Sequence, residues 1–161
     1  MTHTGQDFSA ADIMTARLVT LESDMDVFKA IELLLKHKIS GAPVVDKDQR
    51  LLGMFTEKSC LEVMVSAAYE GLPSNQVAAF MDQPADTLGE HAGMLSMAQI
   101  FLNKRTRRLP VLRDGKLIGQ VSRRDLIGAT VKVLRRNPSR SNTLLYLSAL
   151  REMEDAPRSI T

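Results

Sequence analysis

The chain has few of the residues on which several classes of function depend. It contains no tryptophan, two tyrosines and five phenylalanines among 161 residues, so few aromatic rings are available to stack on nucleic-acid bases. The single cysteine, Cys60, cannot form an internal disulfide, which favours a reducing compartment. The three histidines are isolated in the sequence and do not complete a metal-binding pattern with Cys60, so no zinc site is predicted.

Long apolar runs and the usual phosphate-binding loops are also absent from the sequence. No segment approaches the roughly 18 apolar residues that span a bilayer, and residues 1–14 lack the basic and apolar regions of a signal peptide. There is neither a P-loop pattern nor a glycine-rich dinucleotide turn after a strand. Ser59-Cys60 has no evident base beside it, and no acidic loop has calcium spacing. The sequence therefore predicts a cytoplasmic protein that is neither an enzyme nor membrane-bound.

What the sequence does contain is an internal repeat. The segment ISGAPVVDKDQRLLG at 39–53 is echoed by TRRLPVLRDGKLIG at 106–119, and Pro43 and Pro110 are 67 positions apart. Two units of this size imply similar halves related by a pseudo-two-fold axis. A cleft between such halves is a natural place for a ligand.

Each half is predicted to follow the order strand, helix, strand, strand, helix. Apolar spacing predicts a helix over 24–38, which Asp24 or Asp26 could cap. A second helix over 56–68 carries Leu61, Met64, Val65 and Ala68 on one side. In the second half, Asp114-Gly115 is a strong signal for a tight hairpin turn.

The predicted fold class is α+β, with two repeats that each contain a small sheet and two helices. The repeats are placed at 9–70 and 76–136, separated by the turn-forming residues after 70. A helical tail at 139–161 belongs to neither repeat, and its leucines are spaced three apart. This tail could cap the core, contact a second subunit or reach another protein.

Several short motifs, in the same order in both halves, resemble the CBS domain. The first half contributes IMT at 13–15, GAPVVD at 41–46 and GMFT at 53–56, and the second contributes FMD at 80–82, RLPVL at 108–112 and GQVSRRDL at 119–126. Each motif alone is weak, but their shared order and spacing is specific. The resemblance covers about residues 9–135 and is to tandem CBS pairs, called Bateman modules, including stand-alone bacterial ones.

The resemblance implies a fold and a class of ligand. In the family, two repeats pack sheet to sheet and leave paired clefts, and many members bind adenine nucleotides or related adenosyl ligands there. Many also dimerise into a flat disc. The expected protein is thus a regulatory homodimer with AMP, ADP or ATP as ligand, no obligatory cofactor and an unidentified effector protein as a possible partner.

The family pattern also implies which residues hold the ligand. A hydroxyl and a carboxylate at the start of the last helix, here Ser122 and Asp125, would bind ribose; the first repeat has Thr56 but Ser59 in place of the acid. An ionised carboxylate suits this role because it only accepts hydrogen bonds. A purely structural alternative is equally compatible with the residue types, since Ser122 and Asp125 are good helix-capping residues.

The remaining predicted contacts come from the first repeat and from one arginine. The family match places the base against an apolar slot, where Gly41 leaves room, and implies a phosphate contact from a basic residue before the Leu-Pro of the second repeat. These residues are Thr15, Leu18, Val19, Ile39, Ser40, Gly41 and Arg108. Arg107 occupies the position that matches Ser40, and a long cation there is expected to crowd a base in the mirror cleft. Only the cleft with Asp125 is therefore predicted to bind a nucleotide.

Two other functions remain open from the sequence. Ser59 and the unmatched tail are compatible with a dimerisation or interaction module that needs no ligand. The second half also concentrates arginines, which suggests either a phosphate site or a nucleic-acid surface, although the net charge is only +2. The scarcity of aromatic residues argues against nucleic acid.

Overall fold

The computed structural model describes residues 8–69, 71, 74–83 and 86–136, and within these the predicted order of elements is confirmed. The first half comprises α1 (Ala10–Ile13), β1 (Leu21–Glu22), α2 (Val27–His37), β2 (Gly41–Val45), β3 (Leu51–Thr56) and α3 (Glu57–Tyr69). The second half comprises a 3-10 helix (Val77–Ala79), β4 (Leu88–Gly89), α4 (Met94–Asn103), β5 (Arg108–Arg113), β6 (Lys116–Ser122) and α5 (Arg123–Arg136). The tail at 139–161 lies outside the described residues.

Each half contains the same three-stranded sheet. The strand orders are β1-β2-β3 and β4-β5-β6, the first pair of each sheet is parallel and the second antiparallel. The register is also repeated, because Val44 lies opposite Gly53 and Val111 lies opposite Gly119. The duplicated sequence therefore folds into duplicated sheets with equivalent pairing.

Local sequence signals explain where several elements begin and turn. Asp26, rather than Asp24, caps α2, since its carboxylate accepts hydrogen bonds from the backbone N–H groups of Phe28 at 2.9 Å and Lys29 at 3.1 Å. The β5–β6 hairpin turns through Asp114 and Gly115, which both have positive φ angles, of 51° and 78°. Glycine and aspartate tolerate this backbone conformation, so the predicted turn is confirmed.

The two hydrophobic cores do not coincide with the two sequence repeats. The core around β1–β3 includes Val77 and Phe80, which belong to the second repeat, and the core around β4–β6 includes Ala10 from the first repeat and Phe8, which immediately precedes that repeat. Equivalent backbone hydrogen bonds hold these segments in place. The Val77 N–H donates to the Met25 carbonyl oxygen at 2.9 Å, and the Ala10 N–H donates to the Ala92 carbonyl oxygen at 2.9 Å. The opening segment of each repeat thus completes the core of the other.

Short two-residue bridges extend this exchange to the sheets. Thr15 pairs with Gln120 on β6 through N–O distances of 2.9 and 3.0 Å, and Asp82 pairs with Met54 on β3 through distances of 2.7 and 2.9 Å. These bridges hold each opening segment on the outer strand of the other half. Because each half supplies part of the other's packing, the halves are not independent units.

The helices present apolar side chains to the outside. In α3 the face of Leu61, Met64 and Val65 is exposed, whereas Val63 is buried. Similar exposed residues lie on α2, α4 and α5: Phe28, Leu35, Leu95, Leu102, Ile127 and Val131. None of the described helices has the length and apolar character that a membrane crossing requires.

Candidate functional site

One cavity brings together residues from both repeats. It has a volume of about 300 Å³, and we call it the Asp125 cavity. Eight of the nine residues predicted for the ligand site line it: Thr15, Leu18, Val19, Ile39, Gly41, Arg108, Ser122 and Asp125. Its size lies at the lower end of the range for small-molecule sites, about 300–1,000 Å³.

Ser40 is the exception among the predicted residues. It lines the neighbouring cavity instead, while Ile39 and Gly41 on either side of it line the Asp125 cavity. Ser40 lies at a bend just before β2, and its side chain is exposed. The structure therefore removes Ser40 from this site.

Ser122 and Asp125 form a closed hydrogen-bonded pair at the start of α5. The Asp125 Oδ2 atom accepts from the Ser122 backbone N–H at 2.8 Å and from the Ser122 hydroxyl at 2.7 Å, and Asp125 N–H donates to Ser122 Oγ at 3.1 Å. This is a capping arrangement, so the structural role of both residues is present. It also fixes the carboxylate rotamer at a helix N-terminus, where the helix dipole favours negative charge.

Capping leaves part of the pair available to a ligand. Within the described residues no group donates a hydrogen bond to Asp125 Oδ1, and the proton of Ser122 is already committed to Oδ2. What the pair can offer the cavity is therefore acceptor capacity. Vicinal hydroxyls, which must donate, match that capacity.

The first repeat contributes mainly apolar side chains to the Asp125 cavity. Leu18, Val19 and Ile39 are half-buried, and Pro43 is buried. Gly41 is small for a packing reason, because a Cβ there would lie 3.1 Å from Thr56 Cγ2 and 3.2 Å from the Phe55 carbonyl oxygen. An apolar wall facing acceptors suits a ligand with a flat apolar part and a polyhydroxyl part.

Sequence reasoning missed three lining residues: Arg17, Pro43 and Gln120. Gln120 is the most unusual, since it is buried and its Nε2 has no hydrogen-bond partner among the described residues. Its equivalent in the first repeat is Met54, so a polar residue within the otherwise apolar LIGQV run was the available signal. Gln120 lines both the Asp125 cavity and its neighbour.

The neighbouring cavity is the mirror cleft, and its volume is about 550 Å³. Arg107 lines it, as the position matching Ser40 predicts, and its side chain is exposed. Ser59 does not reach it: the side chain is fully buried and its Oγ accepts from the Thr56 backbone N–H at 3.1 Å. We call this the arginine cavity because Arg105, Arg107 and Arg108 line it.

Two arginines of the second half have partners within the structure. The Arg123 guanidinium donates to the carbonyl oxygens of Phe101 at 3.2 Å and Lys104 at 3.1 Å, so it closes the end of α4. Arg113 pairs with Glu90 at 2.6 Å. These two arginines are therefore not part of a phosphate site.

The described residues offer neither an activated cysteine nor a cluster of metal ligands. Burial raises the pKa of the Cys60 thiol, which disfavours the thiolate that a nucleophile would need. Among residues 8–69, 71, 74–83 and 86–136, no three His, Cys, Asp or Glu side chains are grouped closely enough to hold a metal ion.

Comparison with known proteins identifies the repeat. A family model described as the CBS domain matches residues 10–66 and 77–132, which is more than half of the chain. An uncharacterized protein of Methanocaldococcus jannaschii is 29% identical over 119 residues, which are 72% of this chain and 40% of that protein. The chain therefore spans less than half the length of this relative.

Two similar proteins match over nearly their whole length. A CBS domain-containing protein of Dictyostelium discoideum is 29% identical over 139 residues, covering 80% of this chain and 95% of that protein. The solved structure of CBSX2 of Arabidopsis thaliana in complex with AMP has 27% sequence identity and a TM-score of 0.68, covering 78% of this chain and 98% of that one. A CBS pair with the same fold has thus been crystallised with a nucleotide.

Proposed function

Because the chain belongs to the CBS-domain family, we propose that it is a regulatory module that binds an adenosine-containing nucleotide in the Asp125 cavity. The observation that carries the proposal is that Asp125, whose Oδ1 accepts no hydrogen bond within the described residues, lines one cavity together with residues of the other repeat. The complex of CBSX2 with AMP supports the same class of ligand. Binding, rather than catalysis, is the proposed activity.

We propose that each wall of the cavity holds one part of the nucleotide. The ribose hydroxyls would donate to Asp125 and Ser122, and the adenine ring would pack against Leu18, Val19 and Ile39. Arg108, which makes no ion pair within the described residues, would contact the α-phosphate through its planar guanidinium.

Regulation follows from the fact that both repeats contribute to the cavity. A ligand held between Leu18 of the first repeat and Asp125 of the second stabilises the arrangement in which those residues lie close together. It can shift the equilibrium between arrangements only by its difference in affinity for them. An effector protein that binds the module would then recognise the change in its surface shape.

Asp125→Ala tests this proposal directly. Loss of a charge-assisted acceptor should weaken AMP binding by about 2 kcal/mol, or roughly thirtyfold, in isothermal titration calorimetry. Asp125→Asn, which keeps an acceptor but loses the charge, should have a smaller effect. AMP binding that is unchanged in both variants, or absent from the folded native protein, contradicts the proposal.

Asp12→Ala is a matched control for the loss of helix capping. Asp12 Oδ2 accepts from the Ser9 backbone N–H and hydroxyl, both at 2.7 Å, which reproduces the Ser122–Asp125 pair at α1. Both hydrogen bonds lower the pKa of the Asp12 carboxyl, and the one from the backbone N–H has the larger effect. Because Asp12 does not line the Asp125 cavity, its variant should bind AMP like the native protein.

A second candidate function, dimerisation, is favoured by the exposed apolar helix faces. Leu61, Met64 and Val65 on α3 are each about 60% exposed, which is unusual for contiguous apolar residues. We propose that a second copy of the chain covers this surface.

Leu61→Glu should disrupt such a homodimer. A charge buried without a partner opposes association, so light scattering should give twice the 17.8 kDa chain mass for the native protein and the chain mass for the variant. Gln83→Glu, which adds the same charge at an exposed site away from the helices, should stay dimeric. A native protein that is monomeric at high concentration rejects the dimer.

A further inference from the structure

The arginine cavity differs from the Asp125 cavity in the groups that it offers. At the position equivalent to Asp125 it has Ser59, which is fully buried and hydrogen-bonded to Thr56. At the position equivalent to Val19 it has Asp86, which pairs with Lys104 at 3.5 Å. Among the described residues of this cavity, a ribose diol and an apolar purine therefore find neither the equivalent of the Ser122–Asp125 acceptor pair nor the equivalent of Val19.

Positive charge dominates the same cavity. Its lining includes Arg105, Arg107 and Arg108, and none of their guanidinium groups has an ion-pair or hydrogen-bond partner within residues that the structure describes. Lys58 is paired with Glu62 at 3.4 Å. Among the lining carboxylates, only Glu57 lacks such a partner within the described residues. The three unpaired arginines and the one unpaired glutamate therefore leave a net charge of two positive units in the cavity.

A buried donor adds to these cations. Gln120 is 6% exposed, lines the cavity and has an Nε2 that makes no hydrogen bond to any described residue. A buried amide donor without a partner is destabilising, and this cost is removed when an acceptor-rich ligand reaches it. The equivalent Met54 cannot donate, so the donor is a specific feature of this repeat.

We propose that the arginine cavity binds a multiply charged phosphate anion that carries no nucleoside in this cavity. Guanidinium groups bind phosphate oxygens through paired, charge-assisted hydrogen bonds, and three of them match a group of the size and charge of pyrophosphate. The anion is either free or the phosphate tail of a nucleotide in the Asp125 cavity, since Gly41, Arg108 and Gln120 line both cavities.

Calorimetric titration of the full chain with pyrophosphate tests the proposal without any nucleoside. We expect one pyrophosphate per chain, and Arg107→Ser, which installs the residue of the first repeat, should weaken binding at least tenfold. Gln120→Met should also weaken it. Arg135→Ser removes the same charge from an exposed site on α5 outside the cavity and should change affinity less than twofold.

Three results of these titrations would overturn the proposal. No pyrophosphate binding, or equal weakening by Arg107→Ser and Arg135→Ser, overturns the proposal. So does binding of two adenosine molecules per chain, because the arginine cavity would then accept a nucleoside. Failure of adenosine or AMP to bind would instead contradict only the nucleotide function proposed for the Asp125 cavity.

A final pair of titrations distinguishes the two sources of the anion. If the anion is free, one pyrophosphate per chain still binds to protein saturated with ATP, although more weakly than to the protein alone because Arg108 lines both cavities. If it is the tail of a nucleotide, ATP displaces pyrophosphate, and Arg107→Ser weakens ATP binding at least tenfold while leaving adenosine binding unchanged.

Discussion

Phe80→Ala should lower the free energy of unfolding by about 3–5 kcal/mol, the usual cost of removing a buried phenylalanine. Phe80 belongs to the second sequence repeat but is 8% exposed and packs in the core around β1–β3. Urea denaturation measures the loss. Amide hydrogen exchange shows which sheet is destabilised. Protection of the backbone amides should fall first in β2 and β3 rather than in β5 and β6.

Phe8→Ala provides the reciprocal control for the exchanged segments. Phe8 immediately precedes the first repeat, is equally buried at 8% exposure and packs in the core around β4–β6. Its removal should reduce protection first in β5 and β6. If each variant instead weakened the sheet of its own sequence repeat, the crossed packing would be wrong.

Gly53→Ala should lower the free energy of unfolding by about 3 kcal/mol, at the upper end for added volume in a packed site. A Cβ at Gly53 would lie 2.7 Å from the Asp82 carbonyl oxygen and 2.8 Å from Met81 Sδ. The carbonyl oxygen accepts the Met54 backbone hydrogen bond, so it cannot retreat without breaking the bridge between the halves. Chemical denaturation monitored by circular dichroism measures the change.

Gly128→Ala is the matched control for this substitution. Gly128 lies within α5, where a Cβ would have no atom within 4 Å. The same chemical change should therefore stabilise the protein by about 1 kcal/mol through helix propensity. A Gly53→Ala variant as stable as the native protein would contradict the close approach of the two segments at β3.

The resemblance to the CBS domain, together with the repeat, pointed to eight residues that line one cavity, but it misplaced Ser40. Ser122 and Asp125 were predicted from that resemblance, and the repeat added that Thr56 and Ser59 occupy the equivalent positions. Ser40 was placed on the wrong side because its neighbours were treated as one wall. Ser40 lies at a bend just before β2, and the direction of the chain at that bend, which the sequence did not predict, decides which cavity it lines.

The unpaired amide of Gln120 shows a different limit. From the sequence it is one polar residue in a strand, and strands commonly have a solvated face. In the folded chain Gln120 is only 6% exposed, and its Nε2 has no hydrogen-bond partner among the described residues. Whether a polar side chain is satisfied is a property of its surroundings in three dimensions.

The sequence by itself determined the two repeated units, their strand and helix order and the tight turn at Asp114-Gly115, because periodicity and turn chemistry act over a few residues. The tertiary structure alone decided which core each opening segment completes. The segments at 10–14 and 77–81 are both short and apolar, so either could cover either of two similar sheets. The choice depends on contacts between residues far apart in the chain, and those contacts also create the cavities between the repeats.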